Sequence, residues 1–248
     1  MQIIADLHTH TVASGHAYST VQEMAQAAAD KNLAMLGITE HSPGMPGGPH
    51  PYYFYNIGVI PKTMYGVRII KGVETNIADL QGNIDLEDEL LDRLELVWAG
   101  FHISCSPEGR SVAENTEAMV AALSNPRVDG VVHPGNPEFR IEPLAIVQAA
   151  KYYDKVIELN NSSVKKGTVR EGSSENCLEI AKLAKKYALT VVVGSDSHIS
   201  FDVGRVDYAL QLAAKAGLGE DDILNCSAER IEEFLARRNA ARKAVLSF

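Results

Sequence analysis

Short apolar runs rich in β-branched residues alternate with longer segments of helical periodicity along the chain. The runs are almost continuously apolar, which is typical of parallel strands that are buried on both faces. Strands are predicted at residues 3–7, 35–40, 67–73, 96–101, 130–132, 156–159 and 190–194. Because strand and helix alternate throughout, the pattern predicts a parallel sheet or a (βα) barrel.

Helical periodicity fills the segments between these strands. Helices are predicted at residues 21–31, 88–94, 115–123, 143–153, 174–187, 207–216 and 228–238. Thr20 and Glu23 have the spacing of a capping box before the first helix. The length of 248 residues suits a single barrel domain, residues 1–248, with the helix at 228–238 packed on it. The basic residues in and after that helix are interpreted as complementing its C-terminal dipole: Arg237, Arg238, Arg242 and Lys243.

The charge balance is acidic, with 23 Lys and Arg against 32 Asp and Glu, a net charge of −9. This argues against a nucleic-acid partner, because neutralising phosphates requires clustered basic charge. No stretch approaches the ~20 apolar residues needed to span a membrane. The N-terminus lacks the basic region of a signal peptide, and the three cysteines contain no C-x-x-C pair. We therefore expect a cytoplasmic protein with no membrane partner.

Histidines are concentrated at the carboxyl ends of the predicted strands. Seven of the eight end a strand or lie in the loop after one: His8, His10, His16, His41, His102, His133 and His198. The eighth, His50, lies in the Pro- and Gly-rich segment 42–51, which we interpret either as a rigid excursion or as a lid. Glu74 ends the third strand and Asp196 follows the seventh, whereas the sixth contributes no such residue. Since these strand ends converge on one face of a barrel, the nine side chains are expected to meet there.

Seven imidazoles and two carboxylates are too many ligands for one four-coordinate ion, so the predicted site is multinuclear. Imidazole suits Zn, Fe or Mn centres, and a carboxylate can bridge two ions. In His8-Thr9-His10 the period-two geometry of a strand directs both imidazoles to the same side. Asp6 shares this parity and is expected to orient one of the ligands.

Taken together, these motifs resemble the PHP (polymerase and histidinol phosphatase) family from residue 3 to about residue 204. The motifs are Asp6-Leu7-His8-Thr9-His10, His16, Thr39-Glu40-His41, Gly72-Val73-Glu74, Gly100-Phe101-His102, His133-Pro134-Gly135-Asn136-Pro137 and Gly194-Ser195-Asp196-Ser197-His198. His16-Ala17-Tyr18-Ser19 and Asn160-Asn161-Ser162-Ser163 resemble the YcdX-type phosphatase subgroup of that family. One departure is Glu40, where the family usually has Asp; we expect it to lie outside the ligand set.

The resemblance implies a distorted (βα)7 TIM-like barrel with a trinuclear metal site at the C-terminal ends of the strands. The implied ligand sets are His8, His10, Glu74 and Asp196 for one ion, Glu74, His102 and His133 for a second, and His16, His41 and His198 for a third. Zn is the expected metal, with Mn or Fe as alternatives. The subgroup also suggests a homo-oligomer, with a trimer as the specific expectation.

Such a site favours a metal-dependent phosphoesterase that hydrolyses a small phosphate monoester. Two ions clamp the attacking and leaving oxygens, a hydroxide between them is the nucleophile, and the third ion offsets charge in the transition state. Glu74 and Asp196 are the predicted catalytic residues. The predicted substrate contacts are Arg140, Asn136 and Asn161, and further basic loop candidates are Lys165, Lys166 and Arg170.

Three other functions are weighed against this one. A phosphodiesterase or exonuclease of the same family would use the same metals, but the acidic balance and the lack of a basic stacking groove argue against it. An amidohydrolase commonly bridges its metals with a carbamylated lysine, whereas Glu74 occupies the bridge here. A non-enzymatic metal buffer or metal-binding regulatory protein that keeps the barrel is compatible with the sequence.

Overall fold

The structure is a computed structural model that describes residues 1–168 and 170–245. Its strands are β1 (Ala5–Asp6), β2 (Met35–His41), β3 (Thr63–Met64), β4 (Val67–Asn76), β5 (Leu96–Gly100), β6 (Gly130–Val131), β7 (Val156–Asn160) and β8 (Val191–Gly194). All but β3 are parallel and lie side by side in chain order, while β3 pairs antiparallel with β4. The predicted barrel is thus confirmed: seven parallel strands form a nearly closed ring with helices between them.

The helices cover the outside of this ring and one of its ends. They are α1 (Val21–Asp30), α2 (Tyr52–Asn56), α3 (Asp88–Leu91), α4 (Val112–Ser124), α5 (Pro143–Tyr152), α6 (Asn161–Val164), α7 (Ser173–Lys186), α8 (Asp207–Lys215) and α9 (Ala228–Val245). The capping box at α1 is present, since Thr20 Oγ1 accepts from the Glu23 amide and the Glu23 carboxylate accepts from the Thr20 amide. Among the described residues, no helix is both long and apolar enough to cross a bilayer.

The first and last barrel strands meet at a seam, formed by β1, β8 and the side chain of Asn225. At the top of the seam a single parallel bridge joins Thr9 to Ser197. Lower down, Asn225 Nδ2 donates to the carbonyls of Ala5 and Val193, both at 2.8 Å, and Asn225 Oδ1 accepts from the Val193 amide at 3.0 Å. A side-chain amide therefore replaces part of a backbone ladder between the two strands.

The barrel interior is apolar below the strand ends, and α9 covers its amino-terminal opening. Trp98 is the largest side chain there, and its Nε1 donates to the Leu7 carbonyl at 2.8 Å. Ile231, Phe234 and Leu235 of α9 join the same buried cluster. Burial of such side chains contributes about 1.5–3 kcal/mol each, which holds α9 on the barrel.

Two arginines of α9 have their side chains buried in the protein. The sequence had instead suggested that they complement the dipole at the C-terminus of the helix. Asp129, just before β6, is fully buried and accepts from Arg238 Nε at 3.2 Å and from Arg242 Nη2. A buried carboxylate needs such cationic partners, and this requirement draws both side chains inward. Arg237 instead pairs with Asp154 at the surface, and the side chain of Lys243 lies outside the described residues.

Candidate metal centre

The carboxyl ends of the barrel strands bring the nine side chains proposed as metal ligands to one place. β2 ends in His41 and β4 carries Glu74 two residues before its end, while the segments after β1, β5, β6 and β8 supply the others. Seven of the nine are buried: His8, His10, His41, Glu74, His102, His133 and Asp196. His198 is partly buried and His16 is exposed, so the cluster reaches the surface on that side.

Glu74 lies at the centre of the cluster, and its two oxygens face different imidazoles. Oε1 is 2.8 Å from His133 Nε2 and 3.0 Å from His102 Nε2. Oε2 is 2.8 Å from His41 Nδ1, and it is 3.3 Å from His10 Nε2 and 3.4 Å from His8 Nε2. The carboxylate thus stands between two groups of nitrogens, as a bridging ligand does.

Further short distances complete two groups around Glu74. His8 Nε2 and His10 Nε2 are 3.1 Å apart, and Asp196 Oδ1 is 3.7 Å from the first and 3.4 Å from the second. On the open side, His198 Nε2 lies 3.1 Å from His16 Nε2. The rings of His16 and His41 are stacked with their centroids 4.9 Å apart.

The donor set fits divalent metal ions. Two ligands that each lie about 2.0–2.2 Å from one ion are roughly 3–3.6 Å apart, close to the separations found here. His41 Nδ1 and Glu74 Oε2 are buried and only 2.8 Å apart, yet neither makes a well-oriented hydrogen bond within the described part of the chain. Three overlapping groups of ligand atoms lie within 4.8 Å of one another: His8, His10 and Glu74; His41, Glu74 and His102; His10, His41 and His198.

The charges of the cluster act on one another strongly. Burial alone would raise the pKa of Glu74, but His102, His41 and His8 hold it well below its ordinary value. Burial likewise opposes ionisation of Asp196, whose pKa is nevertheless held well below its usual range by His8 and His10. Both carboxylates are therefore ionised at neutral pH and attract cations.

Glu158 on β7 is a site residue that sequence reasoning missed. Its Oε1 is 2.7 Å from His8 Nδ1, and its Oε2 accepts from the His133 amide at 2.9 Å and from Asn160 Nδ2 at 3.0 Å. This contact leaves His8 Nε2 directed at the cluster, which is how a second carboxylate orients a ligating imidazole. The available signal was a single acid within an otherwise apolar run.

Asp6, the acid proposed for that orienting role, binds elsewhere. Its carboxylate accepts from the Ser195 amide at 3.2 Å, from Ser195 Oγ at 2.5 Å and from the Gly204 amide at 2.7 Å. Asp6 therefore holds the loop that carries Asp196 rather than an imidazole.

Glu40 lies beside the cluster without entering it. Its Oε2 accepts from Ser14 Oγ at 2.6 Å, and its Oε1 accepts from the Tyr53 hydroxyl at 3.3 Å. Ser14 Oγ in turn accepts from the His41 amide at 3.0 Å. Glu40 thus connects the loop after β1, α2 and the backbone of a proposed ligand.

A cavity of about 260 Å³ opens above the cluster. Besides proposed ligands, its lining comprises Met45, Phe101, Ile103, Phe139, Asn136, Glu138 and Arg170. Met45 comes from segment 42–51, so this segment forms part of the wall, whereas His50 is exposed. Arg170 Nη1 lies 3.8 Å from Asp196 Oδ2, which places a cation beside the ligands.

The three residues proposed as substrate contacts are separated in the structure. Asn136 lines the cavity, and its side chain lies between those of His133 and Ser163. Arg140 lines a different cavity and is exposed. Asn161 Oδ1 accepts from the amides of Tyr208 and Ala209 and so caps the start of α8.

Comparison with known proteins finds relatives along nearly the whole chain. A protein of Acetivibrio thermocellus named "Probable phosphatase" is 48% identical over 238 residues, which cover 96% of this chain and 97% of the relative. A probable phosphatase of Thermoanaerobacter sp. (strain X514) is 45% identical over 96% of each chain. The structure of histidinol phosphate phosphatase from Lactococcus lactis subsp. lactis Il1403, complexed with zinc, L-histidinol and phosphate, has a TM-score of 0.64 at 18% identity and covers 87% of this chain and 94% of its own, a likeness of fold.

A family model described as "PHP domain" matches residues 6–241, nearly the whole chain. The match includes every proposed ligand, from His8 to His198. The chain therefore belongs to the PHP domain family.

Proposed function

We propose that this chain is a hydrolase, a metal-dependent phosphatase that cleaves small phosphate monoesters at the centre around Glu74. The observation that carries the proposal is the position of Glu74, with each carboxylate oxygen facing a separate group of imidazoles at the base of a cavity. The relatives named as probable phosphatases support the activity, and zinc and phosphate in the complex of the Lactococcus protein support the ligands.

Three divalent ions, with Zn as the first choice and Mn or Fe as alternatives, would be held by the nine residues in the sets implied by the resemblance. When bound, such ions supply positive charge for phosphoryl oxygens and lower the pKa of coordinated water toward neutrality. Glu74 would bridge two sets and keep them at a fixed separation. Asp196 Oδ1 faces His8 and His10, while Asp196 Oδ2 accepts from Asn160 Nδ2 at 3.2 Å and lies 3.8 Å from Arg170 Nη1. Asp196 also lines the cavity, where it would orient the attacking water.

Arg170 is the side chain best placed to bind the phosphoryl group. It lines the cavity, and its Nη1 is 3.8 Å from Asp196 Oδ2. A guanidinium matches two phosphoryl oxygens with two parallel donors, which makes arginine well suited to this task. Arg140 is exposed at another cavity and is not part of this proposal.

Apolar side chains in the lining of the cavity suit the leaving group of the ester. Phe101 and Phe139 are stacked with their ring centroids 5.1 Å apart, and Ile103 is 61% exposed beside them. Together with Met45 they offer an apolar surface to one side of the ligands. A cavity of about 260 Å³ limits the substrate to a small molecule.

The test starts from protein stripped of metal and reloaded separately with Zn, Mn and Fe. We expect phosphate release from p-nitrophenyl phosphate with at least one metal, at three ions per chain. Asp196→Asn should lower kcat by about 100-fold or more, because it removes a group that touches the reacting atoms. Asp221→Asn, at a fully exposed acid, is the matched control and should act like the wild type.

Two results would contradict the proposal. Faster cleavage of bis(p-nitrophenyl) phosphate or single-stranded DNA than of the monoester would assign the chain to the phosphodiesterase or exonuclease class. Full metal loading without hydrolysis of any of these esters would favour a non-enzymatic metal-binding protein.

A further inference from the structure

Ser163 lies behind the cavity, fully buried in α6 directly after β7. Three side chains surround its hydroxyl: Arg170 Nη1 at 2.9 Å, Asn136 Oδ1 at 3.0 Å and Asn160 Oδ1 at 3.1 Å. Ser163 belongs to the motif Asn160-Asn161-Ser162-Ser163 noted in the sequence, and it has no role in the reaction proposed above.

The number of protons on each group determines the direction of the hydrogen bond between Ser163 and Arg170. A guanidinium can only donate, while a serine hydroxyl has one proton and two lone pairs. Asn160 is fixed in orientation, because its Nδ2 donates to Glu158 and Asp196 and its Oδ1 accepts from the Ser163 amide. Ser163 Oγ is therefore an acceptor for Arg170 and gives its own proton to one of the two asparagines.

This contact holds Arg170 at a definite distance from the ligands. The guanidinium is 28% exposed, lies on the loop between α6 and α7, and is 3.8 Å from Asp196 Oδ2. Within the described part of the chain, the guanidinium donates only to Ser163 Oγ, which leaves its other donors for a ligand in the cavity. Without this acceptor, the arginine is free to collapse onto Asp196 or to turn toward solvent.

We propose that Ser163 is a positioning residue, which holds Arg170 over the metal centre in the orientation that binds a phosphoryl group. The inference rests on the proposed phosphatase function and adds the residue that sets its phosphate affinity. The backbone of α6 does not depend on this hydroxyl, since the cap of that helix runs through the Ser163 amide and Asn160 Oδ1. Ser162 is therefore a matched control, a partly buried serine on the same turn that makes no side-chain hydrogen bond among the described residues.

The readout is the affinity of metal-loaded protein for inorganic phosphate, measured by calorimetry, together with KM and kcat for p-nitrophenyl phosphate. We expect Ser163→Ala to weaken phosphate binding and raise KM by about tenfold, because it removes a hydrogen bond to a charged group. Bound metal should stay at the wild-type level. Ser163→Cys should give an intermediate loss, since a thiol is a weaker acceptor, and Ser162→Ala should match the wild type.

A double-mutant cycle with Arg170→Ala decides whether Ser163 acts through the arginine. If it does, adding Ser163→Ala to Arg170→Ala has no further effect on phosphate affinity. Two full, additive losses would overturn the inference, as would a Ser163→Ala protein that loses metal together with phosphate affinity. Phosphate affinity is measured without turnover, so an inactive wild type contradicts the proposed function alone, whereas a wild type that binds no phosphate contradicts the inference.

Discussion

Single residues around Glu158 control the direction of a proposed ligand. The carboxylate reaches His8 Nδ1 at 2.7 Å and the His133 amide at 2.9 Å, so it links the segments that follow β1 and β6. Burial alone would lower the pKa of His8, but the negative charge of Glu158, together with Glu74 and Asp196, holds it well above its ordinary value. A neutral side chain of the same shape would keep the packing and lose this effect.

We therefore expect Glu158→Gln to reduce metal affinity by about 10- to 100-fold, the usual cost of losing a partner of a ligating histidine. Competition with a chromophoric chelator measures this affinity. Glu175→Gln, at an exposed acid in the first turn of α7, is the control and should bind metal like the wild type. Equal metal affinities for the two variants would show that Glu158 does not support the proposed ligands.

Gly194 has no side chain, and the Glu158 carboxylate occupies the space that a Cβ atom at position 194 would fill. A Cβ atom at this position would lie 2.0 Å from Glu158 Oε1 and 3.0 Å from His8 Cβ. Gly194→Ala should thus displace the carboxylate and weaken metal binding at least as much as Glu158→Gln, with a lower melting temperature. Gly58→Ala meets nothing within 4 Å and should change neither quantity by much; a comparable loss in both alanine variants would contradict the steric argument.

At the scale of elements, the sequence located each barrel strand because buried parallel strands have a strong apolar signal. β3, α2 and α6 were missed, since two to five residues are too few to show a period. α9 extends to Val245 rather than ending at residue 238, because Arg238 and Arg242 on one face of the helix bond to Asp129 and to loop carbonyls. On a helix, an arginine that enters the protein and one that is solvated look the same in sequence.

Two acids that pair with arginines of α9, one buried and one exposed, are predicted to differ in their contribution to stability. Asp129 is fully buried with Arg238 and Arg242, whereas Asp154 pairs with Arg237 where both side chains are more than half exposed. Asp129→Asn should lower the free energy of unfolding by about 3–5 kcal/mol, because two buried cations lose their counter-charge. Asp154→Asn should cost no more than about 1 kcal/mol. Urea denaturation measures both, and equal costs would contradict the assignment.

For the whole molecule, the same charge cluster predicts how stability varies with pH. Lys155 is 4% exposed, and its pKa is lowered to about 7 by burial and then by Arg238, against the attraction of Asp129; Arg242 and Asp154 also face it. Above pH 7 the folded chain has released this proton, while the unfolded chain keeps it up to the ordinary value of 10.5. The contribution of Lys155 to stability therefore rises with pH between these two values.

We expect the unfolding free energy of the wild type, minus that of Lys155→Met, to increase from pH 7 to pH 9.5 by up to about 1.4 kcal/mol per pH unit. The subtraction cancels the titration of the histidines in the metal centre. Denaturation curves at matched ionic strength provide the measurement. A difference that is flat or falls with pH would show that Lys155 stays charged in the folded protein.

Several expectations for the whole molecule stay predictions. They are a single domain, a homo-oligomer, with a trimer as the specific case, and a cytoplasmic protein without a nucleic-acid partner. The acidic charge of −9 supports the last of these, because phosphate backbones are gripped by basic surfaces. Light scattering on metal-loaded protein measures the oligomeric state directly.

The seam between β1 and β8 has a consequence for the order in which the protein is made. His8 and His10 leave the ribosome first, but Asp196 and His198 follow β8, and Asn225 closes the ring later still. Seven of the nine proposed ligands are therefore synthesised before β8, and the last two only after it. The proposed set of ligands would be complete only once translation has passed β8, and a chain truncated within that strand would keep Glu74 but lack Asp196 and His198.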